Sequence, residues 1–285
     1  MHSQGVSMNS PRHFDHLYVK GMDIELHLLS KGNRGGIPVI FLPGITSYSR
    51  SVMRMLDLMP DDYHSLALDI RGRGRSSWPK RGYRLADYVG DLLDVLNALA
   101  DNPVSPVLVG HSMGARIAAA FAARHSSLVS GLVLIDPPVN GPGQRQVYPN
   151  ALSMFLQQKA AADLNDMASF RSYLPSFSDA ALEERADEYR NCSQQALIES
   201  YESLLREPFQ IHVKAVTCPM LLLAAEHGDT IRETEFASLK ALNERLRGVR
   251  VPGVGHMIYK DAPEETARHI VEFVGEHARR PVGER

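Results

Sequence analysis

The stretch SPVLVGHSMGARIAAAFAARH, residues 105–125, decides how this chain is read. A short apolar run of strand type stops at Gly110, and an alanine-rich run of helical type begins after Ser112. A strand that breaks into a helix across Gly110-His111-Ser112-Met113-Gly114 must turn sharply, and only very small flanking residues let the backbone do so. Ser112 is then held out at the tip as a nucleophile, rather than serving as a plain helix N-cap. The helix that starts beside it aims its positive end at any charge that develops there.

Working outward from this turn, DHLYVKG and DIELHLLSKG near the start alternate polar and apolar residues, as half-exposed antiparallel strands joined at Gly21 do. IPVIFLPG, YHSLALDIRG, SPVLVG, SGLVLIDPP and CPMLLLAAEHGD are near-continuous apolar runs closed by Gly, Pro or Asp, the pattern of buried parallel strands. Helical stretches such as LADYVGDLLDVLNALA lie between them. The alternation predicts an α/β protein whose sheet carries helices on both faces and a ligand site at the carboxyl ends of its strands. Residues 139–214 break the alternation: they open on the Gly/Pro-rich PPVNGPGQRQVYP and continue through three helical stretches without a strand signal. They are read as a helical cap inserted into a core of residues 14–138 and 215–285, removable without unfolding that core. Tyr148, Met154 and Phe155 at the start of this insertion face a pocket on one reading and pack the cap onto the core on the other.

A serine nucleophile needs a base, an acid that orients the base, and donors for the oxyanion. His256, in VPGVGHMIY between a late strand and the closing helix, has the small neighbours that leave its ring room to enter a cleft. His111 is read as facing away on the turn, and the other histidines as solvated. Two aspartates stand at strand ends that reach such a histidine: Asp136 in VLIDPP, before the insertion, and Asp229 in LLLAAEHGDTI, after it, with Glu226 a third choice. The oxyanion donors expected are the amides of Met113 and of Ile45 in FLPGITS.

Composition narrows the function classes. The 285 residues are 44% hydrophobic and 22% charged, with a formal charge of -2 and basic and acidic residues interleaved, so neither nucleic acid nor an anionic membrane is expected as a partner. Cys192 and Cys218 are too few for a disulfide framework and read as reduced thiols of a cytoplasmic protein. Histidines, cysteines and carboxylates nowhere take metal-ligand spacing, and neither metal nor cofactor is expected. MHSQGVSMNSPRH, residues 1–13, lacks the apolar core of a signal peptide and reads as a disordered tail. A homo-oligomer is compatible with all of this.

FLPGIT, LDIRGRGRSS, GHSMGAR and GVGHM, in that order and spacing, resemble the α/β-hydrolase superfamily from about Asp15 to Val274. The resemblance implies a mostly parallel eight-stranded sheet flanked by helices with an inserted helical cap. More narrowly, IDPPVNGPG followed by YP, with PGITS and GHSMGAR, is similar to the N-formylmaleamate deformylases of aerobic nicotinate degradation. That resemblance implies a Ser-Asp-His triad in which Ser112 and His256 are joined by Asp136, where most of the superfamily would use the position of Asp229. It further implies a small anionic substrate that gives up formate, whose carboxylate Arg145 and Tyr148 at the cap entrance are expected to hold. A carboxylesterase or carbon–carbon bond hydrolase on the same scaffold is the nearest alternative, and a catalytically silent ligand-binding member is a rival of another class.

Overall fold

A computed structural model of the chain describes residues 14–141 and 143–278; the tail expected over residues 1–13 lies outside them. Eight strands form one sheet: β1 Asp15–Lys20, β2 Glu25–Gly32, β3 Ile37–Leu42, β4 Tyr63–Asp69, β5 Val107–His111, β6 Gly131–Ile135, β7 Met220–Ala225 and β8 Leu246–Val251. Their order is β1-β2-β4-β3-β5-β6-β7-β8. β2 runs antiparallel to both of its neighbours, and every pairing from β4 to β8 is parallel. β4, β5, β6 and β7 are buried at every position, which is why they read as unbroken apolar runs, whereas β1 at the edge alternates.

The helices outside the insertion are α1 Met53–Leu58, α2 Leu85–Ala98, α3 Met113–His125, α9 Glu233–Leu242, α10 Ile258–Asp261 and α11 Pro263–His277. One face of the sheet packs Leu92 of α2 and Phe121 of α3, while Leu56 of α1 and Ile270 and Phe273 of α11 cover the other. Between β6 and β7 come α4 Ala151–Asp163, α5 Met167–Tyr173, α6 Asp179–Arg190, α7 Gln194–Arg206 and α8 Gln210–Ala215. The sequence signals covered α4, α6 and α7 but neither of the two short helices. Side-chain N-caps start three of the five: Asp166 accepts from the Ser169 amide, Ser178 from Ala181 and Ser193 from Ala196. Phe170, Leu182, Ala186, Tyr189 and Leu197 give this layer a small apolar core of its own. α8 behaves differently, since Phe209 and Val213 join the main core under α3.

Register brings the chemistry together. Leu42 of β3 pairs with Gly110 of β5, and Gly110 with Leu134 of β6. The residues that follow these positions, Ile45, Ser112 and Asp136, therefore emerge side by side at the carboxyl ends of three adjacent strands.

Candidate active site

Ser112 has φ 53° and ψ −114°, a left-handed backbone conformation that a non-glycine residue adopts only when its surroundings dictate it. The surroundings do so through two glycines. A Cβ on Gly114 would lie 2.0 Å from the Leu42 carbonyl oxygen, and one on Gly110 would lie 2.4 Å from the Gly114 and Ala115 backbone. The Ser112 amide donates to the Ile135 carbonyl at 2.8 Å, which ties the turn to β6.

His256 approaches from the loop after β8. Its Nε2 is 3.2 Å from Ser112 Oγ, and its Nδ1 is 2.7 Å from Asp136 Oδ2. An ionised carboxylate only accepts, so the ring proton belongs on Nδ1 and the Nε2 lone pair faces the serine hydroxyl. Asp136 is 1% exposed, has φ 45°, and receives the Ala225 amide on its other oxygen at 3.2 Å. Its carboxylate is thus fixed between β6 and β7. Asp229, the alternative acid, points elsewhere: Arg232 and Arg145 hold it at the surface, and the Arg232 bond, with Arg145 adding to it, lowers its pKa. From that loop it is Thr230 that turns inward, its Oγ1 lying 3.1 Å from His256 Nδ1.

The two expected oxyanion residues flank the serine. Met113 opens α3, where first-turn amides have no acceptor within the helix. Ile45 follows a turn so close to the nucleophile that a Cβ on Gly44 would be 3.6 Å from the Ser112 Cβ. Over them lies a cavity of about 260 Å³ lined by Ile45, Ser112, Tyr148, Met154, Phe155, Arg185 and His256 among others. Tyr148, Met154 and Phe155 thus face the pocket.

The structure separates Arg145 from Tyr148. Arg145 does not reach the cavity wall. Its guanidinium is committed to Glu235, at 3.0 and 2.8 Å, and to Asp229, at 3.1 Å, so it clasps the start of the insertion to the loop after β7. Among the described residues, the guanidinium at the cavity is instead Arg185 of α6, which donates to Thr46 Oγ1 at 2.6 Å and to Glu188. Burial opposes its charge, but Tyr189 and Glu188 outweigh burial and hold its pKa above the ordinary range. Glu188, 1% exposed, is shared with Lys260 at 2.8 Å, and Lys260 also bonds Glu184 at 2.8 Å, so two cations and two carboxylates form one linked network beside the cavity. No local signal marked Arg185, because DAALEERADEYR reads as a solvated helix face and only the docking of α6 turns this residue inward.

His111 also differs from its sequence reading. Its ring is buried between the Gly44 turn and the His256 loop, lines the cavity, and has its Nε2 2.9 Å from the His256 carbonyl, to which it donates. Burial, reinforced by His256, pushes its pKa well below the ordinary value, so it is a neutral brace. His27, His64 and His212, taken as solvated from their polar surroundings, are buried as well. Both cysteines are buried and free. Among the described residues no group of His, Cys, Asp and Glu has metal-site geometry, and no helix is long and apolar enough to cross a membrane.

Comparison with known proteins places these features in a family. Residues 39–269 match the model of the alpha/beta hydrolase family. N-formylmaleamate deformylase of Pseudomonas putida is 31% identical over 242 residues, spanning 84% of this chain and 89% of that protein. 2-(Acetamidomethylene)succinate hydrolase of Mesorhizobium japonicum is 28% identical over 91% of this chain and 96% of that protein. The crystal structure of an N-formylmaleamic acid deformylase from Pseudomonas putida superposes with a TM-score of 0.82 at 28% identity, covering 90% of this chain and all (100%) of the other.

Proposed function

This chain belongs to the alpha/beta hydrolase family, and from that premise we propose that it is a serine-dependent amide hydrolase that removes formyl from a small N-acylated carboxylic acid. N-formylmaleamate, the substrate named for its relative, is the compound we assign, giving maleamate and formate and a place in aerobic nicotinate degradation. The observation that carries this reading is the continuous contact from buried Asp136 through His256 to Ser112 on a strained turn. In the first step Ser112 Oγ attacks the formyl carbon while His256 Nε2 takes the hydroxyl proton, and the amides of Met113 and Ile45 hold the oxyanion. The tetrahedral adduct collapses as His256 returns the proton to the leaving nitrogen. Water, activated by the same histidine, then releases formate from the formyl-serine ester. A nitrogen placed between two carbonyls leaves far more readily than an alkylamine, so the triad suffices for the amide.

Two further features support a small anionic substrate. The cavity, about 260 Å³, lies below the roughly 300–1,000 Å³ of pockets for drug-sized ligands. Among the described residues the cavity has one lining guanidinium, Arg185, whose fork is suited to a carboxylate at the far end of a short substrate.

The test is formate release from N-formylmaleamate measured beside a panel of aryl esters of increasing acyl length. Turnover of the formyl amide that vanishes in Ser112→Ala supports the proposal, and turnover confined to the longer esters overturns it in favour of a carboxylesterase. Arg185→Met is expected to raise KM for the anionic amide by about tenfold or more while leaving uncharged aryl esters within about threefold.

A further inference from the structure

Arg71 and Arg73 stand two residues apart in LDIRGRGRSS, and the fold treats them in opposite ways. Arg71 forms a two-pronged pair with the buried carboxylate of Asp91, at 2.6 and 2.5 Å. Arg73 is 0% exposed, and among the described residues none of its partners is a carboxylate. Its five N–H groups are nevertheless all engaged: Nε and one terminal nitrogen bond the Ile45 carbonyl at 3.1 and 2.9 Å, and the latter also bonds Ser200 Oγ at 3.0 Å. The other terminal nitrogen bonds the Arg71 carbonyl at 3.0 Å and the Tyr88 hydroxyl at 2.6 Å. Hydrogen bonding is complete, yet the charge has no counter-charge, which is the costly way to bury a cation.

A neutral donor could brace those carbonyls, so the charge itself calls for a role. Its field is poorly screened in the protein interior. The group it grips, Ile45, supplies one of the proposed oxyanion amides and packs against the small apolar core of the insertion. The grip on Ser200, with Tyr88 sharing that hydroxyl at 2.6 Å, extends it to α7. We propose that Arg73 is a positioning residue whose uncompensated buried charge serves the oxyanion formed at Ser112, acting across Ile45, whose carbonyl it grips and whose amide is the proposed donor. The inference rests on the serine acyl-transfer reading. When Ser112 Oγ bonds to the substrate carbon, the carbonyl π pair moves to oxygen, and Arg73 is then the fixed positive charge behind the loop that receives it.

The experiment measures the rate at which a fluorophosphonate phosphonylates Ser112, together with kcat and KM on whichever acyl substrate the protein turns over. Arg73→Met, which keeps much of the stem and removes the charge, is expected to slow labelling and kcat by about a hundredfold or more while KM stays within about threefold. Arg73→Lys, which keeps the charge and loses the fork, should recover labelling to within about tenfold of the parent. The double variant Tyr88→Phe/Ser200→Ala, which strips neutral partners and leaves the charge, should stay within about fivefold. Labelling of Arg73→Met at the parental rate, equal losses in Arg73→Met and Arg73→Lys, or a double variant as slow as Arg73→Met would overturn the inference and leave a simple brace. If Arg73→Met does not fold, Arg73→Lys and the double variant decide between the same two outcomes. Parent protein that resists the probe overturns the serine reading itself, a failure distinguishable from a labelled parent whose Arg73 variants label equally fast.

Discussion

At the scale of single residues, the site turns on which way short side chains point from neighbouring strand ends. Asp136 is buried and fixed by the Ala225 amide, so Asp136→Asn should keep the fold but stabilise the wrong His256 tautomer, lowering kcat by up to about ten-thousandfold. Asp229→Asn, at a surface position bonded to arginines, should lower it by less than about tenfold, and steady-state kinetics on both variants check the pair. Ser112 and His256 were legible because their constraints are local: a serine between glycines at a strand end, and a histidine after a glycine in a late loop. The choice between the aspartates was not a local matter. The loop after β7 turns Thr230 inward and Asp229 outward, and nothing in LLLAAEHGDTI alone announces that. Arg185 was illegible for a related reason, since burial of a charge is decided by a distant element that packs on it.

At the scale of elements, glycine has opposite meanings in two helices. In α3, Gly114 lets the helix close onto β3, and a methyl there meets a backbone oxygen that cannot give way; Gly114→Ala should fail to fold or lose the turn, seen as insoluble protein or loss of fluorophosphonate labelling. In α2, Gly90 has open space around its missing side chain and an ordinary helical backbone, so Gly90→Ala should stabilise the protein by about 1 kcal/mol and raise Tm by roughly 2–4 °C in calorimetry. The strands of the parallel sheet were readable because burial on both faces leaves them uniformly apolar. β8 is a different case: LRGVRV keeps arginines on a half-exposed strand, so the sequence signals only a late strand before His256 and the pairing with β7 supplies its bounds. α5 and α8, of seven and six residues, are too short to display a helical period.

At the scale of the molecule, the insertion is less separable than its sequence suggests. Ala196, Phe209 and Val213 belong to the main core, and the buried Arg116 of α3 donates to the carbonyls of Pro138 and Glu207. Deleting residues 139–214 should therefore give insoluble or molten protein in place of a stable core, as judged by near-ultraviolet circular dichroism. The buried histidines set the response to acid. Burial, with Arg124 and Arg116 nearby, lowers the pKa of His212 from 6.5 to about 4, and burial also lowers those of His64 and His111. Between those limits the unfolded chain binds protons that the folded chain refuses, so stability is full above about pH 6.5 and declines as the pH falls toward 4. Thermal melts across this range should show that decline, and His212→Gln should make it shallower.

The adjacency of β6 and β7 means that one histidine is within reach of two strand ends, and only one of them supplies an acid. The protein thus has a spare address for the triad's charge. With Thr230 Oγ1 already 3.1 Å from His256 Nδ1, the double variant Asp136→Asn/Thr230→Asp offers the ring a carboxylate from the second address. It should recover at least about tenfold of the activity lost in Asp136→Asn alone, whereas Asp229, one residue earlier, faces outward and cannot step in. A sheet laid out in this way presents two neighbouring strand ends to the same ring nitrogen, Asp136 from one and Thr230 from the other. The loop after β7, with its aspartate turned outward, is instead clasped by Arg145 and joined to the entrance of the insertion.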